Sequence, residues 1–596
     1  MSEYAAPLTD MQFVLQELAG LDSVASLPGH EEVSAELAGA ILEEAGKFAA
    51  GVLSPLNTVG DRQGARWKDG EVSTTPGWSE AYRQFVEGGW NALSCSAEFG
   101  GQGLPRTISA LVEEMWNGAN VAFALCPMLT RGAIEAIELC GSHAQKSMYL
   151  PPLVSGEWTG TMNLTEPQAG SDLSAVRTRA LRQADGSFLL HGQKIFITYG
   201  EHDLTPNIVH LVLARTPDAP EGVKGISLFV VPKFIVREDG SLGERNDVRC
   251  VSIEHKLGIH GSPTAVLAFG DNEGARGWLV GQENRGLEYM FIMMNAARYS
   301  VGLEGVGLCE RAYQRARDYA HERKQGAELG GASREKAAII RHPDVRRMLL
   351  QMKTRTEALR AVACVVAAAV DKAAAHPDEA VRKSNQSFVD LMIPVVKGWS
   401  TETSVFVTSL GIQVHGGMGY VEETGAAQHW RDSRITPIYE GTTGIQASDL
   451  VGRKIARDDG ASARRLLEEM EDVRELLENA PELAQLGSQL SAGISALRRC
   501  VDFVVERYTS EPKAAATGAV PLLELFGIVT GGWQMARAAI IARKRLADDN
   551  GDSAFLRAKM LSARFYGDHV LTQASGLADS VVNGADTVLA YADEQF

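Results

Sequence analysis

The chain has 596 residues, with 58 lysines and arginines against 75 aspartates and glutamates, a formal net charge of −17. That length exceeds what one hydrophobic core serves, and the acidic balance excludes a nucleic acid or an anionic membrane as the main partner, since both need a basic footprint. The 7 cysteines show no CxxC pair, and the histidines no HExxH, so reduced core thiols, a cytoplasmic location and no metal site are expected.

In chain order, residues 1–35 read as an N-terminal extension, and "MSEYAAPLTD" lacks the basic and apolar regions of a secretory signal. Residues 36–160 carry a helical period, with apolar side chains three and four apart in "HEEVSAELAGAILEEAGKFA" and "TISALVEEMW". From 161 to 282 the pattern turns to strands. "SFLLHGQKIFITYG", "NIVHLVLAR", "GISLFVVPKF" and "TAVLAFGD" are short β-branched or aromatic runs close to turns such as "EDG" and "DNEG", which is how an antiparallel barrel or sandwich reads. The helical period returns over 283–455. Its strongest apolar run, "AVACVVAAAV" at 361–370, is too short to span a bilayer, so no integral membrane segment is expected. A further helical unit over 456–596 opens with "ARRLLEEMEDVRELLENA" and is broken by a loop, "TSEPKAAATGAVP", at 509–521.

Three stretches are unusual for structural filler. In "MNLTEPQAGSD" (162–172), hydroxyls and a glycine offer donors and close backbone approach, although an ordinary turn has the same composition. In "KIFIT" (194–198), Phe196 and Thr198 lie two apart and share one face of a strand. An aromatic that covers a flat ring, beside a hydroxyl that bonds its edge, suits a cofactor, while sheet packing is the commoner cause. "GIQVHGGMGY" (411–420) allows close approach to a polyanion, but it is not a GxGxxG after a strand, and His415 reads as a satisfied histidine. "PIYEGTTGIQ" (437–446) sets one carboxylate, Glu440, between an aromatic residue and a glycine.

Taken in order with "YAHERKQG" (319–326), these stretches resemble the acyl-CoA dehydrogenase family of flavoproteins over residues 36–455, and the length resembles a long bacterial branch of it. The resemblance implies an α+β, mainly α fold: an N-terminal helical domain, a middle antiparallel β-barrel or sandwich domain, a C-terminal four-helix-bundle-like domain, and an extra C-terminal helical domain. It implies FAD-dependent α,β-dehydrogenation of an acyl-CoA, with Glu440 as the base for the α-proton and the β-hydrogen leaving as hydride to flavin N5. Met162, Leu164 and Thr165 would then run along the flavin, Phe196 would cover its face and Thr198 reach N5. Arg323 and Gln325 would meet the pyrophosphate across a subunit interface, and Gln413, Gly416 and Gly417 would lie under the adenosine end. Gly441 and Thr442 would shape the turn that aims the base, Ser171 would contact the CoA arm, and Arg298 would help position Glu440. Electron transfer flavoprotein is the implied acceptor, and a homodimer the implied assembly, the tail covering a surface that a second dimer covers in shorter members. A fatty acyl-CoA or 3-(methylthio)propanoyl-CoA is the expected substrate.

Two positions depart from the family pattern. Phe196 stands where many members have tryptophan, and Gly444 where many have a polar FAD contact. Ala297 occupies the position at which some branches place the base, which favours Glu440. An acyl-CoA oxidase and a non-catalytic acyl-CoA-binding helical protein share parts of this pattern and are the alternatives.

Overall fold

The computed structural model describes residues 4–331, 334–478 and 480–596, so the first three residues of the N-terminal stretch and Asn479 of the stretch expected to open the tail lie outside it. By contact the chain divides into two units. One is Met1–Gly46, Pro105–Gly118 and Val301–Phe596, and the other is Lys47–Leu104 and Ala119–Ser300. The division falls within two long helical segments, α1 (Arg106–Cys140) and α2 (Gly286–Glu322). Asn120 leaves helical geometry (φ −161°, ψ 86°), and its Oδ1 accepts the Phe123 N–H as an N-cap does, so the second half of α1 starts afresh there.

The strand-like runs of the second unit pair into one eight-stranded sheet. Its strands are β1 (Trp158–Asn163), β2 (Arg179–Arg182), β3 (Phe188–Thr198), β4 (Asn207–Ala214), β5 (Ser227–Pro232), β6 (Val248–Ile253), β7 (Thr264–Phe269) and β8 (Ala275–Val280). The order is β6-β7-β3-β8-β5-β4-β1, with β2 also on β3. The antiparallel expectation holds along that path except at its end, where β1 runs parallel to β4 with Met162 opposite Leu211. The chain leaves β1, builds β2 and β3 across the sheet, and returns as β4, which fixes that direction. Phe188, Leu190, Ile197, Phe229 and Phe269 fill the core, each contributing roughly 1.5–3 kcal/mol by burial. Tyr199, just past β3, takes a hydrogen bond from Trp78 Nε1 (3.0 Å) and donates to the Ala122 carbonyl (2.7 Å), tying that strand end to the unit's helices.

In the other unit, α3 (Pro343–Ala375) and α4 (Glu379–His415) form a helical hairpin. Proline opens α3 and the Asp378 carboxylate caps α4, accepting from Ala380 N at 2.7 Å. The short helix α5 (Thr443–Ser448) precedes the tail helices α6 (Ala461–Glu478), α7 (Ala484–Arg507), α8 (Ala519–Ala547) and α9 (Ser553–His569). The loop expected at 509–521 is largely helical: Pro512 starts a turn through Thr517 on three alanines, and α8 begins at Ala519. Proline at a first helical position favours the helix that it would break further in. By length and composition α8 is the one described helix that could span a membrane, but 83% of its apolar window is buried against this unit. It packs on α3, α4 and α5, and also on α6, α7 and α9. Glycine makes the contact with α4 possible, since a Cβ at Gly527 would lie 2.2 Å from the Trp399 ring.

A buried ionic network ties the tail to the rest of this unit. Arg360 of α3 donates to Glu114 (2.6 Å), Glu310 (2.7 Å) and Asp10 (2.6 Å). Lys559 of α9 donates to Asp10 (2.7 Å) and Glu357 (3.2 Å). Burial pushes the Glu114 carboxyl up to about 7, whereas Lys559 and Arg360 overcome burial and hold Asp10 below the usual carboxylate range.

Candidate active site

Most of the residues that the sequence singles out in the sheet unit converge at the end of β1 and the bulge of β3. Met162 is the penultimate residue of β1, and the chain continues through Leu164 and Thr165, whose carbonyl accepts the Ile195 N–H at 2.9 Å. Between Ile197 and Lys194 the pairing of β3 with β7 slips, because Phe196 adopts a left-handed backbone (φ +60°). The extra residue lets Lys194 and Ile197 both point inward. Phe196 is left 59% exposed, with Thr198 half-buried two positions on. The same-face expectation therefore holds, through a bulge rather than plain alternation.

Beneath this surface lies an ion pair that the sequence reading did not assign. Lys194 Nζ donates to Glu166 Oε1 (2.8 Å) and to the Leu164 carbonyl (3.0 Å), with both side chains almost wholly buried. Glu166 also accepts from Arg177 N (2.8 Å), Thr178 N (3.1 Å) and Thr178 Oγ1 (2.5 Å). Although burial works against it, Lys194 and these donors bring the Glu166 carboxyl down to about 2, while burial lowers Lys194 to about 8 despite Glu166. Both groups are charged at neutral pH, and together they pin the Leu164–Thr165 backbone beside Phe196. Ser171 lies in the exposed loop that follows; Arg298 is buried on α2, as is Ala297 beside it.

In the helical unit, Glu440 is half-buried in a left-handed backbone (φ +54°), and Gly441 follows at φ +84°. A non-glycine residue there costs of order 1–3 kcal/mol and persists only when its surroundings hold it. Gln446 Nε2 donates to the carbonyls of Glu440 (3.0 Å) and Gly441 (3.2 Å), and the fully buried Lys397 donates to Gly441 O at 2.8 Å. The Thr442 hydroxyl caps α5 through Ile445 N (3.3 Å), and Thr443 Oγ1 donates to Glu402 (2.5 Å). The Tyr439 hydroxyl donates to Glu304. Burial pushes Glu304 up to about 8; Tyr439 and Lys397 oppose this, and Glu113 and Glu440 add to it.

At the end of α4, Gln413, Gly416 and Gly417 are exposed, and a Cβ on either glycine would meet nothing within 4 Å. Gly416 ends α4 with a backbone (φ +60°) that favours glycine, whereas at Gly417 neither packing nor a positive φ calls for one, and the backbone there is open to close approach. His415 is satisfied as expected, stacked on Tyr319 (centroids 4.3 Å apart) and bonded through Nδ1 to the Gly411 carbonyl at 2.7 Å. Arg323 and Gln325 are exposed on a hairpin closed by Ile339 N to Arg323 O (2.8 Å) and Gln325 N to Ala337 O (3.0 Å). Among the described residues no cluster could hold a metal ion.

Within the sheet unit, the exposed Phe196 ring with the Thr198 hydroxyl near it fits the face and edge of a flat ring; within the helical unit, the exposed Arg323 and the open backbone at Gly416 and Gly417 fit a pyrophosphate arm. The buried Oδ1 of Asn163, at the end of β1, has no hydrogen-bond partner among the described residues.

Four family descriptions match in chain order. They are "Acyl-CoA dehydrogenase, N-terminal domain" over 36–157, the middle domain over 161–272, the C-terminal domain over 284–455, and "Acetyl-CoA dehydrogenase C-terminal like" over 466–592. The chain is 48% identical to a 3-methylmercaptopropionyl-CoA dehydrogenase of Ruegeria pomeroyi, over 98% of this chain and 99% of that one. It is 34% identical to the broad-specificity linear acyl-CoA dehydrogenase FadE5 of Mycobacterium tuberculosis, over 96% of each. Among solved structures, Caenorhabditis elegans ACDH-11 in complex with C11-CoA superposes with a TM-score of 0.76 at 20% identity, covering 96% of this chain and 93% of that one, a likeness of fold.

Proposed function

The chain belongs to the acyl-CoA dehydrogenase family and has its activity, and on that premise we propose that Glu440 takes the α-proton of an acyl-CoA thioester. The observation that carries this reading is the geometry of Glu440. The carboxylate belongs to a left-handed turn whose carbonyls are held by Gln446 and by a buried lysine. A turn held in this way restricts the carboxylate to few positions, which favours proton transfer.

The backbone N–H of Glu440 is the donor offered to the thioester oxygen as charge develops there. Met162, Leu164, Thr165, Phe196 and Thr198 hold the FAD ring. Arg323, Gln325, Gln413, Gly416, Gly417 and Thr442 serve its phosphate and adenosine arm, and Ser171, Arg298 and Gly441 serve the substrate. Bound FAD supplies the acceptor for the β-hydrogen and its electron pair. Electron transfer flavoprotein is the proposed onward acceptor.

The substrate we favour is 3-(methylthio)propanoyl-CoA, on the strength of the 48% identity to a relative named for it. Two measurements test the reading. Glu440→Gln should keep its flavin while turnover falls by about 10²–10⁴-fold or more; near-normal turnover would place the base elsewhere. A panel of linear acyl-CoAs beside the methylthio thioester should show the highest kcat/KM for the latter, and a maximum on a long linear chain would overturn the substrate choice.

A further inference from the structure

Glu304 of α2 is completely buried, and one of its oxygens accepts the Tyr439 hydroxyl. Its other oxygen, Oε1, has no hydrogen-bond partner among the described residues. Tyr439 is the residue immediately before Glu440. We propose that Glu304 is a positioning residue for the dehydrogenation: through the Tyr439 hydroxyl it fixes the near side of the left-handed turn that presents Glu440. The proposal rests on Glu440 being the base.

The turn needs holds on both sides of Glu440. On its far side Lys397 and Gln446 grip the carbonyls of residues 440 and 441. Those contacts fix the peptide after the base. Before the base the Tyr439 N–H donates to the Ile435 carbonyl at 3.1 Å, and the Tyr439 phenol, fastened to a helix of the same unit, adds a side-chain hold to that backbone one. A misplacement of about 1 Å at a reacting group costs on the order of 100-fold in rate, so a hold of this kind is worth having.

The choice of a carboxyl has a second consequence. The groups that act on Glu304 come from each side: Tyr439 and Glu440 on the loop, Lys397 on α4 and Glu113 on α1. Burial raises Glu304 to about 8, so at neutral pH it carries its proton and sets no charge opposite Glu440. When Glu304 ionises, a negative charge faces Glu440 and favours its proton-bearing form, which is the form made when it takes the α-proton. In the intact enzyme kcat should therefore rise as pH passes through about 8. A glutamine at this position accepts the same phenol but cannot ionise.

The test is kcat at saturating acyl-CoA between about pH 6 and 10 for the wild type, E304Q, E304A, Y439F and E440Q, with flavin content measured on each. E304A and Y439F should lose about tenfold or more in kcat with flavin retained. E304Q should restore kcat to within about threefold of wild type at neutral pH and lack the alkaline rise. Superposable pH profiles for E304Q and wild type, or an unimpaired E304A, would overturn the proposal while leaving Glu440 as the base if E440Q is inactive. An active E440Q would overturn both readings. If E304A loses flavin or does not fold, the E304Q profile decides.

Discussion

Removing the carboxylate of Glu166 should weaken the hold on FAD by stranding a charge. Glu166→Gln keeps volume and one acceptor, but it leaves the Lys194 ammonium without its counter-charge in a site where neither side chain is exposed by more than 3%. Breaking a buried pair by removing one partner costs about 3–5 kcal/mol. The sheet unit spans residues 47–104 and 119–300. For a unit of this size each kcal/mol moves the melting temperature by roughly 2–4 °C, so a shift on the order of 10 °C is expected. The double variant Glu166→Gln/Lys194→Met removes the stranded charge, and should recover about 2 kcal/mol or more of the loss. The assay is the temperature at which flavin fluorescence is released from the loaded enzyme, read for the wild type, both single variants and the double variant. A shift under about 2 °C for Glu166→Gln, or a double variant no better than additive, would refute the view that this pair supports the flavin-facing backbone.

The same carboxylate sets an acid limit. Its folded value of about 2 lies below the ordinary 4.5, so its contribution is complete above 4.5 and is lost as pH falls toward 2; flavin release on acidification should show this window in wild type and a flatter profile in Glu166→Gln. Phe196→Ala should weaken FAD binding by about tenfold with little effect on unfolding of the flavin-free protein, because the ring is 59% exposed, and Phe196→Trp should restore affinity. Equal affinities across the three would mean that the ring does not cover the flavin. Lys559→Met should destabilise the helical unit by about 3–5 kcal/mol by leaving Asp10 and Glu357 short of a cation, and an unchanged calorimetric transition would show that Arg360 and Lys353 suffice.

What the sequence reveals and what it hides follow from the kind of interaction involved. Strands β3, β4, β5 and β7 are legible because β-branched and aromatic runs end at turn residues. The bulge at Phe196 is not, because a left-handed residue inside a strand leaves no compositional mark when it is not glycine. The parallel pairing of β1 with β4 depends on contacts far apart in the chain. Glu440 stands out through the stretch around it. Lys194, Lys397 and Glu304 pass as ordinary charges until burial is known, although a lone lysine in "LMIPVVKGWS" was a usable signal. The helix at Pro512 is hard to see because a proline that opens a helix has the same local composition as one that ends it.

The Asp10–Lys559 contact bears on how the chain is made. Asp10 emerges from the ribosome well before its buried cation partners Arg360 and Lys559, which follow about 350 and 549 residues later. At about 5–20 residues per second, that is an interval of roughly half a minute to two minutes for the later one. The sheet unit is complete by residue 300 and can fold while synthesis continues, but the helical unit draws on segments made before and after it and closes only once the tail helices have been made. Nascent chains halted near residue 500 should therefore protect the sheet strands from protease while leaving the N-terminal segment open to it, whereas protection of both would mean that the first helices find another shelter until the tail arrives.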